Sequence, residues 1–331
     1  MKLIGRRELI AGLGSAAAWP LAARAQQPQV PVIGWLDDYS PPGLRDIPPE
    51  FFQGLADAGY IEGGNVTIEY RWSEGHADRL PALAADLIRR RVAVIITWAS
   101  TPAALAAKAA TQTIPIVFAL GIDPVESGLV ASFNRPAGNI TGVYGFAPAV
   151  ITKRLELLHQ MVPTAATIGM LVYSAAPSYV QSETRELQAA AGILGVRVLL
   201  LDAATEGDIA AALASLVEQR AGALMISSVP FFGRAHLGQI ISLTGSYAIP
   251  TEFFSSSAIS AGALMSYGIS ESEARHQLGL YTGRILKGEK PADLPVVQPT
   301  KFELAINLQT ARKLGLTVPP TLLAIADRVI E

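Results

Sequence analysis

Bond chemistry needs a nucleophile, a proton donor or acceptor with a tuned pKa, or a metal, and each leaves a pattern that can be sought along these 331 residues. The search returns little. Cysteine is absent, which removes disulfides, thiolate metal sites, a thiol nucleophile and a lipid-modified cysteine. The four histidines, His76, His159, His236 and His276, lie in polar stretches or on helices exposed by pattern, without ligand spacing. No Gly-x-Gly-x-x-Gly follows the first strand candidate, and neither Gly-x-x-x-x-Gly-Lys-Ser/Thr nor Gly-x-Ser-x-Gly occurs. Of the neighbouring carboxylates, Glu69 alternates within a strand and Glu62 and Glu74 flank it, which a solvated face explains. The expectation is a protein that is not an enzyme and needs no cofactor.

What the chain does offer is polar and aromatic residues at the carboxyl ends of strand candidates, where open α/β sheets hold ligands. In the first half these are Asp37, Asp38 and Tyr39, then Trp98, Ser100 and Thr101, then Asp123, with Tyr144 near the midpoint. The second half supplies Tyr173, Ser174 and Ser178, then Phe231, then Glu252 and Phe253. Ser100-Thr101-Pro102 reads two ways: a hydroxyl N-cap with proline in the first turn leaves N–H groups able to hold a carboxylate, and plain capping, worth about 1 kcal/mol, explains it as well. The aromatics are likewise open between an apolar slot and strand-end core. A slot would suit an amino acid or small aromatic acid better than a sugar phosphate, since no basic cluster is visible.

Positioning such residues falls to elements that alternate along the chain. Strand candidates run over 31–36, 65–70, 92–97, 114–119, 167–173, 196–201, 223–227, 250–254 and 263–267. Between them, Leu80, Leu83, Ala84, Leu87 and Ile88 mark one helical face, as do Ile209, Leu213, Leu216 and Val217. Alternation of this kind makes an α/β fold of parallel sheets covered by helices. An internal echo suggests duplication: Leu87-Ile88, Arg91 and a strand match Leu216-Val217, Arg220 and a strand, and each is followed by Ile-Pro, at Ile114-Pro115 and Ile249-Pro250. The glycine-rich 139–148 reads as a crossing between two lobes, with 266–268 and 294–299 as two further crossings.

Composition agrees with a two-lobed globule. Half the residues are hydrophobic and 16% are charged, with a formal net charge of -2, so there is no basic stripe for nucleic acid. Lys2 and Arg6-Arg7, an uncharged run from Leu9 to Ala23, and Ala23-Arg24-Ala25 read as an export leader over 1–25, with paired arginines resembling the twin-arginine signal and cleavage after Ala25. No later segment is long and apolar enough to cross a bilayer, so the mature chain is expected outside the cytoplasm and not inserted in a membrane; it is further expected to be a monomer, and the resemblance given below implies the periplasm.

Longer stretches are identified as those of a family. Arg6 to Gln27, Glu69-Tyr-Arg-Trp72, Asp78 to Leu87, Gly128 to Ser132 with Asn134-Arg-Pro136, Lys153-Arg-Leu-Glu-Leu-Leu158, Leu264 to Gly268, and Tyr281 to Pro295 continued by Gln298 to Leu304 resemble the exported solute-binding proteins of ABC transporters, the group that includes tryptophan- and phenylalanine-type binders. The resemblance implies a type I periplasmic-binding-protein fold with two doubly wound lobes and three crossings. The first lobe would take 26–143 plus 267–297 and the second 144–266 plus 298–331. It also implies a small solute enclosed between lobes and a membrane permease as partner. Relatives carry serine-rich residues after the first strand and an Asn-Pro-Asn type loop in the second lobe, where this chain has Asp37-Asp38-Tyr39 and Tyr173-Ser174-Ala175-Ala176; paired carboxylates at a cleft mouth favour a cationic or hydroxyl-rich group. Two other roles fit the same residues: a ligand sensor handing its closed form to a membrane signalling protein, and an exported α/β enzyme, which the missing nucleophile and base disfavour.

Overall fold

A computed structural model describes residues 30–38, 47, 49–145, 149–174, 177–229 and 231–331. The leader with its Ala25 exit, Tyr39 and Ala175-Ala176 lie outside the described residues. The strands are β1 (Val32–Asp37), β2 (Thr67–Trp72), β3 (Val94–Trp98), β4 (Ile116–Leu120), β5 (Ile140–Tyr144), β6 (Thr167–Val172), β7 (Arg197–Asp202), β8 (Ala223–Ile226), β9 (Thr251–Phe253), β10 (Met265–Ile269), β11 (Phe302–Asn307) and β12 (Arg328–Ile330). The helices are α1 (Pro49–Asp57), α2 (Leu80–Arg89), α3 (Thr101–Ala110), α4 (Ala149–Met161), α5 (Pro177–Leu194), α6 (Glu206–Glu218), α7 (Leu237–Ser246), α8 (Ser257–Ala261), α9 (Glu271–Leu286), α10 (Leu308–Lys313) and α11 (Pro320–Ile325).

The strands form a five-stranded sheet ordered β2-β1-β3-β4-β5 and a seven-stranded sheet ordered β12-β11-β10-β9-β8-β6-β7. Within the second, β7-β6-β8-β9-β10 repeats the order of the first, which gives the internal echo a geometric meaning. All pairings are parallel except β10 with β11, where Phe302 to Asn307 runs back against Ile269 to Met265. Parallel strands buried on both faces should be apolar throughout, and β8 is, while β3 departs from it only at the buried hydroxyl of Thr97. Ile140–Tyr144, read from its glycines as a crossing, is instead the buried edge strand of the first sheet. Its Gly142 lies against the β4 backbone, where a Cβ would sit 2.1 Å from the Phe118 carbonyl oxygen.

The duplicated unit extends to how its helices stop. After α2, Arg91 takes a left-handed conformation with φ 56°, its N–H bonding Ile88 and that of Val92 bonding Leu87. After α6, Arg220 has φ 52° with the same pair of bonds, to Val217 and, from Ala221, to Leu216. These close the last carbonyls of each helix and turn the chain into the next strand. Leu80, Ala84 and Leu87 of α2 and Ile209, Leu213 and Leu216 of α6 are buried, whereas Val217 is exposed.

The chain passes between the sheets after β5, again at Ile269-Ser270, and again between Val297, which bridges to Val143, and β11. The second passage carries α9 back to the first lobe, where it docks on α1 at backbone distance. A Cβ on Gly279 would lie 2.1 Å from the Phe51 carbonyl oxygen, and one on Gly54 2.0 Å from that of His276. Ala274, Leu278, Tyr281 and Ile285 of α9 then complete the core over β1, β3, β4 and β5. Apolar clusters line both faces of each sheet, and among the described residues no helix is long and apolar enough to cross a membrane.

Candidate functional site

A cavity of about 210 Å³ opens between the two sheets at the carboxyl ends of β3, β4 and β5 on one side and β8, β9 and β10 on the other. The first lobe contributes Trp98-Ala99 after β3, Ala119 to Gly121 after β4, Val143 and Gly145 at β5, and Glu271, Ala274 and Arg275 on α9. From the second come Val150-Ile151 of α4, Ser228 after β8, Gly233, Phe254-Ser255 after β9, Ser257, and Gly268 of β10. Most of this surface is apolar.

The charged part stands on the first turns of α9. Ser270 caps the helix by accepting the Glu273 N–H at 3.3 Å and donates its own hydroxyl to Glu303 at 2.6 Å. That start puts Glu271 at the positive end of the helix dipole and Arg275 one turn on, where they pair at 2.5 Å with side chains 20% and 19% exposed. The Arg275 guanidinium lies 4.9 Å from the ring centre of Trp98, a cation–π contact. Glu271 also accepts a short hydrogen bond from Ser255, so a carboxylate of the first lobe holds a hydroxyl of the second. Ser255 and Ser257 hydroxyls are 2.6 Å apart.

Two backbone features shape the walls. Ala99 has φ 53°, costly for a residue with a Cβ, and its N–H bonds the Ala119 carbonyl at 2.7 Å. Gly233 lies in a five-residue π-helix, Phe231–Ala235, and a Cβ there would meet the Phe254 ring at 2.6 Å.

Behind the second-lobe wall is a sealed ionic cluster. Arg154, fully buried, donates to both oxygens of buried Glu252 at 2.7 to 3.0 Å, to the Ser228 hydroxyl at 3.0 Å and to the Ile226 carbonyl. Glu183, also buried, accepts the Ser227 hydroxyl and, at 2.9 Å, the Ser228 N–H. Burial pushes the Glu252 carboxyl up to about 7 against the pull of Arg154, and Glu183 adds to the rise. One carboxylate is bonded to the guanidinium and the second acts on it through charge alone.

Of the residues singled out from sequence, Trp98 lies on the cavity wall. Ser100 caps α3, accepting the Ala103 N–H at 3.1 Å, with Thr101 as the first helical residue. Asp123 accepts the Val125 and Glu126 N–H groups in a turn, and Asp38 donates its N–H to the Asp37 carboxylate at the end of β1. Tyr144 is in the core against Phe133, its hydroxyl pushed up by burial and by Asp123 and Glu126. Tyr173 and Phe231 stack with ring centres 4.4 Å apart, beside Phe232, and Ser174 bonds Asp202. Phe253 is fully buried, Glu252 belongs to the sealed cluster, and Ser178 lies in the first turn of α5. Ser178 apart, whose side chain lies outside the described residues, none of these except Trp98 is among the residues that line this cavity. Glu271 and Arg275, which do line it, went unremarked in the sequence because they sit on a helix start and not at a strand end; the acidic Ser-Glu-Ser-Glu opening was the available signal.

Two lobes of this topology, three passages between them and a cavity at their facing strand ends define a type I periplasmic-binding-protein fold. The profile of the ABC transporter substrate binding protein family matches residues 38–330, and the chain belongs to that family. It is similar to a tyrosine-binding protein of Clostridioides difficile, 27% identical over 83% of this chain and 78% of that one. Among solved structures it resembles the ABC domain in complex with L-Trp from Streptococcus pneumonia, 27% identical with a TM-score of 0.80 over 91% of this chain and all of that one. A conserved domain protein from Vibrio cholerae gives 25% identity and a TM-score of 0.80 over the same shares.

Proposed function

We propose that this protein is the exported solute receptor of an ABC importer, its leader removed near Ala25, and that it captures an α-amino acid with an apolar or aromatic side chain in the interlobe cavity and delivers it to the permease. The observation that carries the reading is the wall made by Trp98, Glu271 and Arg275. A lone carboxylate as ligand would leave Glu271 facing it, and a lone amine would face Arg275. A zwitterion satisfies both, and exchanges one ion pair for two at little net cost in charge desolvation. The apolar remainder of the cavity, with Leu120, Ile151, Phe254 and Ile269, suits the side chain, and two relatives are named for or bound to aromatic amino acids. The protein binds and releases without bond chemistry, as a monomer.

Calorimetric titration with L-tryptophan and L-tyrosine, against tryptamine and indole-3-propionate, tests the ligand class. The amino acids are expected to bind at least about tenfold more tightly than either analogue, a difference of about 1.4 kcal/mol, with compaction in small-angle scattering. Ser257→Trp, an exposed change at the cavity rim, should abolish that binding. Equal affinity for the analogues sinks the zwitterion reading, and binding untouched by Ser257→Trp removes the cavity from it.

A further inference from the structure

The second-lobe wall shows no charged side chain to the cavity among the described residues, yet three stand directly behind it. Four of the segments that reach the cavity from that lobe, at Ile151, Ser228, Phe254 and Gly268, are tied to one guanidinium. Arg154 follows Ile151 by one turn of α4. Its Nη1 donates to the hydroxyl of Ser228, and its Nε and Nη2 hold Glu252, two residues before Phe254. Glu252 in turn accepts the N–H of Tyr267, the residue before Gly268, at 3.3 Å. From the other side Glu183 of α5 fixes the Ser228 N–H.

We propose that Arg154 is the positioning residue of the second half-site, setting the Ser228 hydroxyl and the Phe254 and Gly268 segments against the ligand without touching it. The proposal rests on the cavity being the ligand site. A buried ion pair is weak as a source of stability, since apolar side chains of similar volume often do as well. What apolar side chains cannot do is aim a hydroxyl. By accepting from Arg154, Ser228 keeps its single proton for a ligand acceptor in the cavity. The planar fork also spans α4, β8 and β9 at once, which a lysine at the same place cannot.

Arg154→Lys keeps the charge and removes the fork. Without ligand, amide hydrogen exchange at 226–228 should quicken by at least about tenfold relative to the amides of β6, because only the local anchor is lost. Equal protection at both places, or a loss spread evenly over the lobe, overturns the proposal. With L-tryptophan as probe, Arg154→Lys and Ser228→Ala should each weaken binding by about tenfold, and the double variant no further, because the two act through one hydroxyl. Additive losses overturn it. If Arg154→Lys does not fold, Glu252→Gln, which turns one N–H toward the guanidinium, should give the same local quickening on a smaller scale; no quickening there counts as a refutation. Should the wild-type chain bind no amino acid, the receptor reading falls on its own and the exchange experiment still decides the role of Arg154.

Discussion

On the first-lobe wall, Glu271 and Arg275 stand on the surface of the cavity, paired with each other, stacked on Trp98 and still about one-fifth exposed. Behind the second-lobe wall, Arg154, Glu183 and Glu252 are fully buried, and the described residues that face the cavity there are serines, glycines and apolar side chains. The first arrangement leaves charge where a ligand can exchange partners with it; the second fixes geometry and offers no exchange. A duplicated fold has therefore placed its charges on opposite sides of equivalent walls, an arrangement that on the proposed function gives one half recognition and the other shape.

The contrast is broken most directly by removing one carboxylate from each half. Glu252→Leu strips acceptors from a buried guanidinium and should cost about 3 to 5 kcal/mol in urea denaturation. Glu271→Leu, with its partner partly solvated, should cost no more than about 1 kcal/mol while abolishing amino-acid binding. Comparable stability losses would mean that the two clusters do not differ in kind.

The sealed cluster also shows itself in pH. The Glu252 carboxyl has an ordinary value of 4.5 in the unfolded chain and stands at about 7 in the fold, chiefly through burial, with Arg154 opposing and Glu183 assisting. Between those values the folded state holds a proton that the unfolded state has released. The contribution is fully present below pH 4.5 and is lost as pH rises through 7, about 3 kcal/mol across the window. Urea midpoints should fall over that range in the wild-type chain and stay level in Glu252→Gln. Asp86, held low at about 2 by Arg71 and Arg90, works in the opposite sense and only at more acid pH.

Next in size is the seat of the recognition charges. Because α9 rests on α1 with Gly279 against the Phe51 carbonyl, Gly279→Ala forces the helices apart at a cost of about 1 to 3 kcal/mol. The displacement should also weaken amino-acid binding, since Glu271 and Arg275 ride on that helix. In the second lobe, Gly233→Ala should leave thermal stability nearly unchanged, because the Phe254 ring can swing away, but the ring would swing into the cavity. Calorimetry should then show about a tenfold loss for L-tryptophan and a smaller one for an aliphatic amino acid.

Much of this scaffold is legible from alternation alone: the nine strand candidates overlap nine of the strands in both sheets, and the Arg91 and Arg220 echo marks the repeated helix-stop. Edge elements were less so. Ile140–Tyr144 contains Gly142 and is flanked by Gly138 and Gly145, and glycine at a close approach to Phe118 looks in sequence like glycine at a turn. The site was harder still. The rule that ligands sit at strand ends is sound for the sheets, yet Asp38, Tyr173 and Ser174 follow the strands farther from the seam, β1 and β6, while the cavity lies against β3 to β5 and β8 to β10. Glu252 looked like a polar group at a strand end, and only the chance partner from α4, 98 residues away, decides that it is sealed. Helix-borne charges such as Glu271 and Arg275 carry no periodic signal distinct from a solvated i, i+4 pair.

The smallest effects test whether the two halves remain equivalent where no ligand is involved. Arg91 and Arg220 occupy the left-handed region at matched helix ends, both exposed, at a cost of about 1 to 2 kcal/mol each relative to glycine in the fold. Glycine gives part of that back through the freer unfolded chain, about 0.4 to 1 kcal/mol, so Arg91→Gly and Arg220→Gly should each stabilise by about 0.5 kcal/mol and by equal amounts. Ala99 shares the conformation, with φ 53°, but sits on the cavity wall beside Trp98. Ala99→Gly should gain the same stability in a thermal melt and lose affinity, because the strain there holds the Trp98 end of β3 in place for the Arg275 stack. A gain in stability with affinity intact would show that the left-handed turn at Ala99 only joins β3 to α3, and that recognition in the first half depends on α9 alone.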